Sequence, residues 1–198
     1  MKALLLSGGI DSTALAYWLR PTLAVTVDYG QAVAEAEIHA AQAICGALNI
    51  PHRTLRFDCG HLGGGCMVGK EQVSIAATPE WWPYRNQLLV TITAMALVAE
   101  GLEEIWVGTV AGDDVHADGK HAFVDHLSRL LEMQEGAVRV LAPAIHMTSE
   151  EVLEQVQVPR NLLGWTFSCH VSRYPCGRCR GCIKHEEVLL ESAVQSPP

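Results

Sequence analysis

The sequence predicts an α/β protein built on a doubly wound parallel sheet, and three observations carry that expectation. Short apolar, β-branched runs alternate with longer segments of helical periodicity, as in consecutive βαβ units. The first apolar run breaks at a glycine turn, where such sheets place their ligand crevice. The 198 residues are 49% hydrophobic and 18% charged, enough for one buried core and far from the composition of a disordered chain.

Each element follows from local chemistry. Residues 2–6 form an apolar run ending in Ser7-Gly8-Gly9, and 11–19 carry Leu15 and Leu19 at helical spacing before Pro21 forbids continuation. A second strand is expected over 23–27 and a second, alanine-rich helix over 32–48, with Ile38, Ala41 and Leu48 on one face. A third strand is expected over 52–57. Residues 59–83 hold Gly63-Gly64-Gly65, Gly69 and two prolines and are expected to be a functional loop. A third helix (86–100) leads to a fourth strand (104–110) that runs into Gly112-Asp113-Asp114. Phe123, Leu127, Leu130 and Leu131 mark an amphipathic helix, 138–141 a fifth strand, and Thr148 with Glu151 a capping box at a further helix start. From about Trp165 the pattern gives way to a cysteine-rich tail, which divides the chain into an α/β domain (1–164) and a tail (165–198) packed on it.

Composition narrows the function. A formal net charge of -8, from 14 basic and 22 acidic residues, lacks the footprint of a general nucleic-acid binder. Ser7-Gly8-Gly9-Ile10-Asp11 interrupts the initial apolar stretch, so no export signal is expected, and no apolar run approaches the roughly 18 residues of a membrane span. A soluble, cytoplasmic protein is the expectation. Four of seven cysteines crowd into 169–182, which suits a metal site in a reducing compartment.

Two motifs carry chemistry. In Leu6-Ser7-Gly8-Gly9-Ile10-Asp11-Ser12, glycines permit close approach and successive amides, the helix start adds partial positive charge, and Ser7 and Ser12 can donate to phosphate oxygens. Asp11 is placed to hold magnesium. A bare glycine turn is also compatible with a plain strand-to-helix connection. The second motif, Cys169-x6-Cys176-x2-Cys179-x2-Cys182, can close four thiolates around zinc, with Arg173, Arg178, Arg180 and Lys184 available to offset the charge. An iron–sulfur cluster or a disulfide pair are its other uses. Cys45 reads as helix core, and Cys59 and Cys66 as loop residues.

Ser-Gly-Gly-x-Asp-Ser after an N-terminal apolar strand resembles the signature of the ATP pyrophosphatases. It lacks the lysine of a Walker A loop. Joined to Pro175-Cys176-Gly177-x-Cys179-x-x-Cys182, with Asp28-Tyr29-Gly30-Gln31, Tyr84-Arg85-Asn86 and Trp165-Thr166-Phe167-Ser168-Cys169 between, the chain resembles the 7-cyano-7-deazaguanine synthases, the QueC-like branch. That resemblance implies a Rossmann-like sheet of the adenine nucleotide alpha hydrolase type with a small C-terminal zinc-binding segment. It also implies a carbon–nitrogen ligase that converts 7-carboxy-7-deazaguanine to the nitrile with ATP and ammonia, through acyl-adenylate and amide intermediates. The implied cofactors are ATP, Mg2+ and structural Zn2+, and the implied assembly is a homodimer. Leu6 to Ser12 would bind ATP; Asp11, Ser12, Arg85 and Asp113 would be catalytic; Tyr29, Gln31, Arg85, Asn86, Asp113 and Asp114 would meet substrate; Cys169, Cys176, Cys179 and Cys182 would hold zinc.

The chain departs from the family where Ala32-Val33 replace a basic or histidine-bearing segment, where Asp113-Asp114-Val115-His116-Ala117-Asp118 replace a Gly-Tyr-Pro-Asp-Cys-like stretch, and in its shorter cysteine spacing. These departures keep a second product open. QueC-like paralogues of antiviral gene clusters join the deazaguanine carboxylate to another amine, of a protein or a small molecule, and stop at the amide. A zinc-stapled binding module without catalysis, and a sulfur-transferring enzyme using Cys59 or Cys66, are the competing classes. His116, His121 and His126 do not share a helical face, which argues against a joint metal site, though His116 is a candidate proton carrier. Trp81 and Trp82 are candidates for base stacking or for core packing.

Overall fold

The computed structural model describes residues 1–113 and 116–194. Five parallel strands, β1 (Lys2–Leu5), β2 (Leu23–Asp28), β3 (His52–Arg56), β4 (Glu104–Trp106) and β5 (Arg139–Leu141), form one sheet in the order β3-β2-β1-β4-β5. Ala3 of β1 lies between Leu23 of β2 and Ile105 of β4, so the winding reverses at the central strand. The carboxyl ends of β1 and β4 therefore border the crevice that such sheets use for ligands.

Side-chain alternation along β1 splits the core in two. Leu4 and Leu6 face one side, with Ile10 and Leu15 of α1 (Ile10–Leu19), Ile44 of α2 (Ala34–Leu48), Val152 of α5 (Ser149–Val156), Leu162 of α6 (Arg160–Leu163) and Val188 of α7 (Arg180–Val194). Ala3 faces the other, with Val90 and Leu97 of α3 (Arg85–Leu97) and Leu127 of α4 (His121–Glu132). The doubly wound architecture expected from the sequence is what forms.

The differences lie at element ends. The fourth strand stops at Trp106, short of 110, because residue 108 passes over α1. A Cβ on Gly108 would lie 3.1 Å from the Ser12 Cβ, a close approach that suits glycine. The third helix starts at Arg85, and 98–100 tighten into a 3-10 turn before Gly101 at φ 82°. The tail differs most: after the cysteines it forms α7, a 15-residue helix whose Val188 is 1% exposed in the main core.

The 59–83 segment is tied down. Cys59 and Ala32 donate backbone bonds to the Tyr29 and Met67 carbonyls, and Cys66 to that of Pro79. Trp82 packs edge-on to Tyr29 at 4.7 Å, and a Cβ at Gly63 would sit 2.6 Å from its ring. Core packing is therefore what Trp82 does. Among the described residues, no helix is long and apolar enough to cross a membrane.

The capping box at α5 forms in full: Glu151 N–H donates to Thr148 Oγ1 at 3.2 Å and Thr148 N–H to Glu151 Oε2 at 2.8 Å. Thr148→Ala is expected to lower stability by about 1 kcal/mol, read as a lower urea midpoint at unchanged slope, with Thr148→Ser close to the parent.

Candidate active site

The crevice beyond β1 and β4 has a volume of about 360 Å³ and is lined by Leu6, Ser7, Gly9, Ile10, Asp11, Ser12, Tyr29, Arg85, Asn86 and Asp113. Residues read from separate motifs thus share one cavity. Two of the sequence-predicted residues stand behind its wall, and Asp114 lies outside the described residues.

The glycine turn forms its floor. Gly8 adopts φ 81°, and a Cβ there would come within 2.6 Å of the Ala40 Cβ, so glycine is required on both counts. Gly8 is packed against α2 while Gly9, at the start of α1, faces Ser168. Ser7 Oγ accepts from Gly9 N–H at 3.3 Å and lies 3.4 Å from Ser12 Oγ, which donates to the Gly9 carbonyl. The two hydroxyls therefore share one edge of the turn.

Asp11 is held from the far end of the sequence. Lys184 Nζ of α7 donates to Asp11 Oδ2 at 3.1 Å and lies 3.8 Å from Asp113 Oδ1. Asp11 Oδ1 is buried without a hydrogen-bond partner, and burial raises this carboxyl above its usual range although Lys184 and Ser149 favour the anion. Burial works against the Lys184 charge, but Asp11 and Asp113 outweigh it and hold the ammonium charged. A buried carboxylate with one bare oxygen beside a glycine turn is chemically fitted to a divalent cation carrying phosphate.

The opposite wall combines α2, the 59–83 segment and α3. Gln31 does not line the cavity; its amide accepts from Tyr29 N–H and donates to the Val27 carbonyl and, at 2.8 Å, to Glu37 Oε2. It positions Glu37, a half-buried carboxyl that desolvation pushes up to about 7 against the opposing pull of Gln31 and Arg85. Burial also raises the Tyr29 phenol, with Arg85 opposing. Arg85 Nε donates to Asn86 Oδ1, and Asn86 donates through Nδ2 to the Asp118 carbonyl, which anchors the 118 turn to the start of α3. His116 lines the cavity, with Nε2 3.4 Å from Thr78 Oγ1.

The third wall is the tail. Sγ atoms of Cys169, Cys176, Cys179 and Cys182 all lie within 4.8 Å of one another, with Cys176–Cys182 at 3.9 Å and Cys169–Cys179 at 4.0 Å. Four sulfurs each about 2.3 Å from a tetrahedral zinc would stand roughly 3.8 Å apart, so the cluster fits one zinc ion, whereas a multi-iron cluster would spread the thiolates further. Backbone N–H groups of His170, Cys179 and Cys182 point at cysteine sulfurs. No disulfide forms among the described cysteines. Cys59 donates its thiol to the Tyr29 carbonyl, and burial pushes both its thiol and that of Cys66 up, so neither is held as a reactive thiolate.

Sequence reasoning left several cavity residues unassigned. Lys184 and Arg180 were expected as counter-charges to the thiolates; instead Lys184 meets Asp11, and Arg180 pairs with the buried Glu80 at 3.4 Å. Glu37, Glu80, Ser149, Ser168, His170 and His185 also line the cavity. Their only sequence signal is proximity to the motifs: two of them flank Cys169, and His185 follows Lys184.

A family model described as "Queuosine biosynthesis protein QueC" matches residues 2–193. The chain is 30% identical over 220 residues to a 7-cyano-7-deazaguanine synthase of Methanothermobacter thermautotrophicus, covering 100% of this chain and 98% of that protein. It is 29% identical over 202 residues to 7-cyano-7-deazaguanine synthase 1 of Desulfitobacterium hafniense, covering 94% of this chain and 90% of that one. It is 30% identical over 217 residues to the 7-cyano-7-deazaguanine synthase of Archaeoglobus fulgidus, covering 100% of this chain and 89% of that protein.

Two measurements follow from this geometry. The purified chain is expected to carry one zinc per four-cysteine cluster, and Cys176→Ser to lose it and melt at lower temperature, checked by metal analysis beside a thermal scan. For Glu37, a pKa raised from 4.5 to about 7 means a contribution to stability that is full below the unfolded value and lost as pH rises through the folded one. The parent should lose on the order of 1 to 2 kcal/mol between pH 5 and 8 from this group, and Glu37→Gln should flatten that slope in urea titrations at the two pH values.

Proposed function

The chain belongs to the QueC family of queuosine biosynthesis proteins, and from that premise we propose that it converts 7-carboxy-7-deazaguanine to 7-cyano-7-deazaguanine with ATP and ammonia. The observation that carries the reading is the Ser7–Ser12 turn at the sheet's reversal point, with the bare Asp11 oxygen and Arg85 facing the same cavity. A carboxylate is a poor acylating group. Its oxygen therefore attacks the α-phosphorus of ATP, and the bond to the bridging oxygen of the β-phosphate breaks, leaving pyrophosphate and an acyl adenylate. Ammonia displaces AMP to give the amide; a second adenylation on the amide oxygen permits elimination to the nitrile.

The residues divide this work. Backbone amides of the turn, with Ser7 and Ser12, cradle the phosphates as charge develops on the leaving group. Magnesium, when bound, supplies positive charge to the phosphate oxygens, and Asp11 Oδ1 is the atom that would hold it. Arg85, oriented by Asn86, would meet the substrate carboxylate, and Tyr29 and Asp113 would border the base. Cys169, Cys176, Cys179 and Cys182 would fill all four positions of a zinc ion, which would hold the tail in place and leave no open position for chemistry. Thiols pushed up by burial at Cys59 and Cys66 favour this reading over sulfur transfer.

Mass spectrometry of products from the chain, ATP, magnesium and 7-carboxy-7-deazaguanine tests it. Nitrile is expected only when ammonium is present. Amide without nitrile would move the chain to the amide-forming paralogues, and an absence of ATP consumption would overturn both. Asp11→Asn should lower turnover by about 10²- to 10³-fold with only a modest fall in melting temperature, since Lys184 loses one ion partner but keeps Asp113 at 3.8 Å.

A further inference from the structure

The glycine turn carries no lysine, yet adenylation expels a strongly charged pyrophosphate, so a cationic side chain that meets it has to come from elsewhere in the chain. Among the described residues, the lysines and arginines that line the cavity are Arg85, Arg180 and Lys184. Arg85 lies on the Tyr29 and Glu37 side, and Arg180 is tied to the buried Glu80. Lys184 alone of these touches the turn, through Asp11.

A second polar group stands beside it. Ser149, in the first turn of α5, is 3% exposed, and its Oγ is buried with no hydrogen-bond partner. It faces the Asp11 carboxylate. The helix is already capped by Thr148, so this hydroxyl is not needed to finish α5. An unpartnered buried hydroxyl is a standing cost in the absence of a ligand. The amino end of α5 adds its partial positive charge at the same place. Ser149 and Lys184 also line a groove that leaves the cavity between α5 and α7, past Gly112 and Ile183.

We propose that Ser149 and Lys184 form the seat of the departing pyrophosphate, and that the groove between α5 and α7 is its exit. The proposal rests on adenylation as the reaction. When the bond from the α-phosphorus to the bridging oxygen breaks, the electron pair leaves with pyrophosphate, and Lys184 and the Ser149 hydroxyl donate to the oxygens on which charge collects. Glu150 and Glu187 also line the groove, and two carboxylates oppose retention of a polyanion, which suits a product that must depart.

The zinc site sets the position of Lys184. It follows Cys182 by two residues on a helix that begins beside Cys179. Gly181 fixes the approach, since a Cβ there would stand 2.0 Å from the Ser168 carbonyl oxygen.

The test is calorimetric titration of magnesium pyrophosphate into the zinc-loaded protein, beside thermal stability and turnover. Ser149→Ala should leave the free protein as stable or about 1 to 2 °C more stable, because it removes an unpaired buried hydroxyl, yet weaken pyrophosphate binding about tenfold. Lys184→Met should keep its zinc, lose pyrophosphate affinity at least tenfold and lower kcat about 100-fold with little change in KM for the deazaguanine carboxylate; Lys184→Arg should recover part of both. A parent that binds no pyrophosphate overturns the proposal. So does a Ser149→Ala protein that is less stable and binds pyrophosphate as the parent does, which would make the hydroxyl structural. A parent that binds pyrophosphate through both residues but leaves 7-carboxy-7-deazaguanine untouched upholds the seat and removes the substrate reading alone.

Discussion

The end of β1 is the point on which the molecule is organised. That strand is covered on both faces and paired on both edges, so the chain leaving it has one direction to go. It can turn there only because residue 8 has no side chain: α2 occupies the space a Cβ would take, and the backbone is left-handed. The same crowding recurs at Gly108, whose backbone presses on Ser12 from β4. Two glycines thus let helix and strand ends converge on one spot.

Charge in the cavity is arranged by pairs with unequal burdens. Asp11 is ionically matched on one oxygen and bare on the other, whereas Glu37 receives an amide from Gln31 and still sits above the ordinary carboxylate range. Arg180 and Glu80 satisfy one another where the tail meets the 59–83 segment. The cavity therefore separates a wall already neutralised by its own ion pair from a floor that invites further positive charge. A nucleotide entering with its counter-ion meets the second and is not drawn to the first.

Much of this was legible in the sequence because it depends on local rules. Alternating apolar runs and helical segments specify a parallel sheet, Thr148 and Glu151 specify a cap, and the cysteine spacing specifies a four-thiolate cluster. What escaped depends on distance along the chain. Lys184 and Asp11 meet across 173 positions, and no local pattern at either end announces the other. Near the cysteines, basic residues have a ready local reading as counter-charges, which hid their reach into the cavity. Gln31 misled in the opposite sense: it belongs to a recognisable motif, but both ends of its amide are consumed by Tyr29, Val27 and Glu37. The helix after the cysteines was missed because glycine and cysteine spacing dominate the segment where it begins, although Val188 is as buried as any strand residue.

The contact between the tail and the first turn makes the site depend on residues far apart in the chain. Phe167 N–H bonds to the Gly8 carbonyl, and Lys184 reaches Asp11, so residues of the first turn are completed by residues more than 150 positions later in the chain. A chain cut ahead of Arg180 would hold the glycine turn, the central strand and Arg85, but would lack Cys182, one of the four thiolate ligands, and the lysine that answers Asp11. The first turn and the cysteine tail thus form one continuous structure, and losing either end of that contact leaves the Asp11 carboxylate without its lysine.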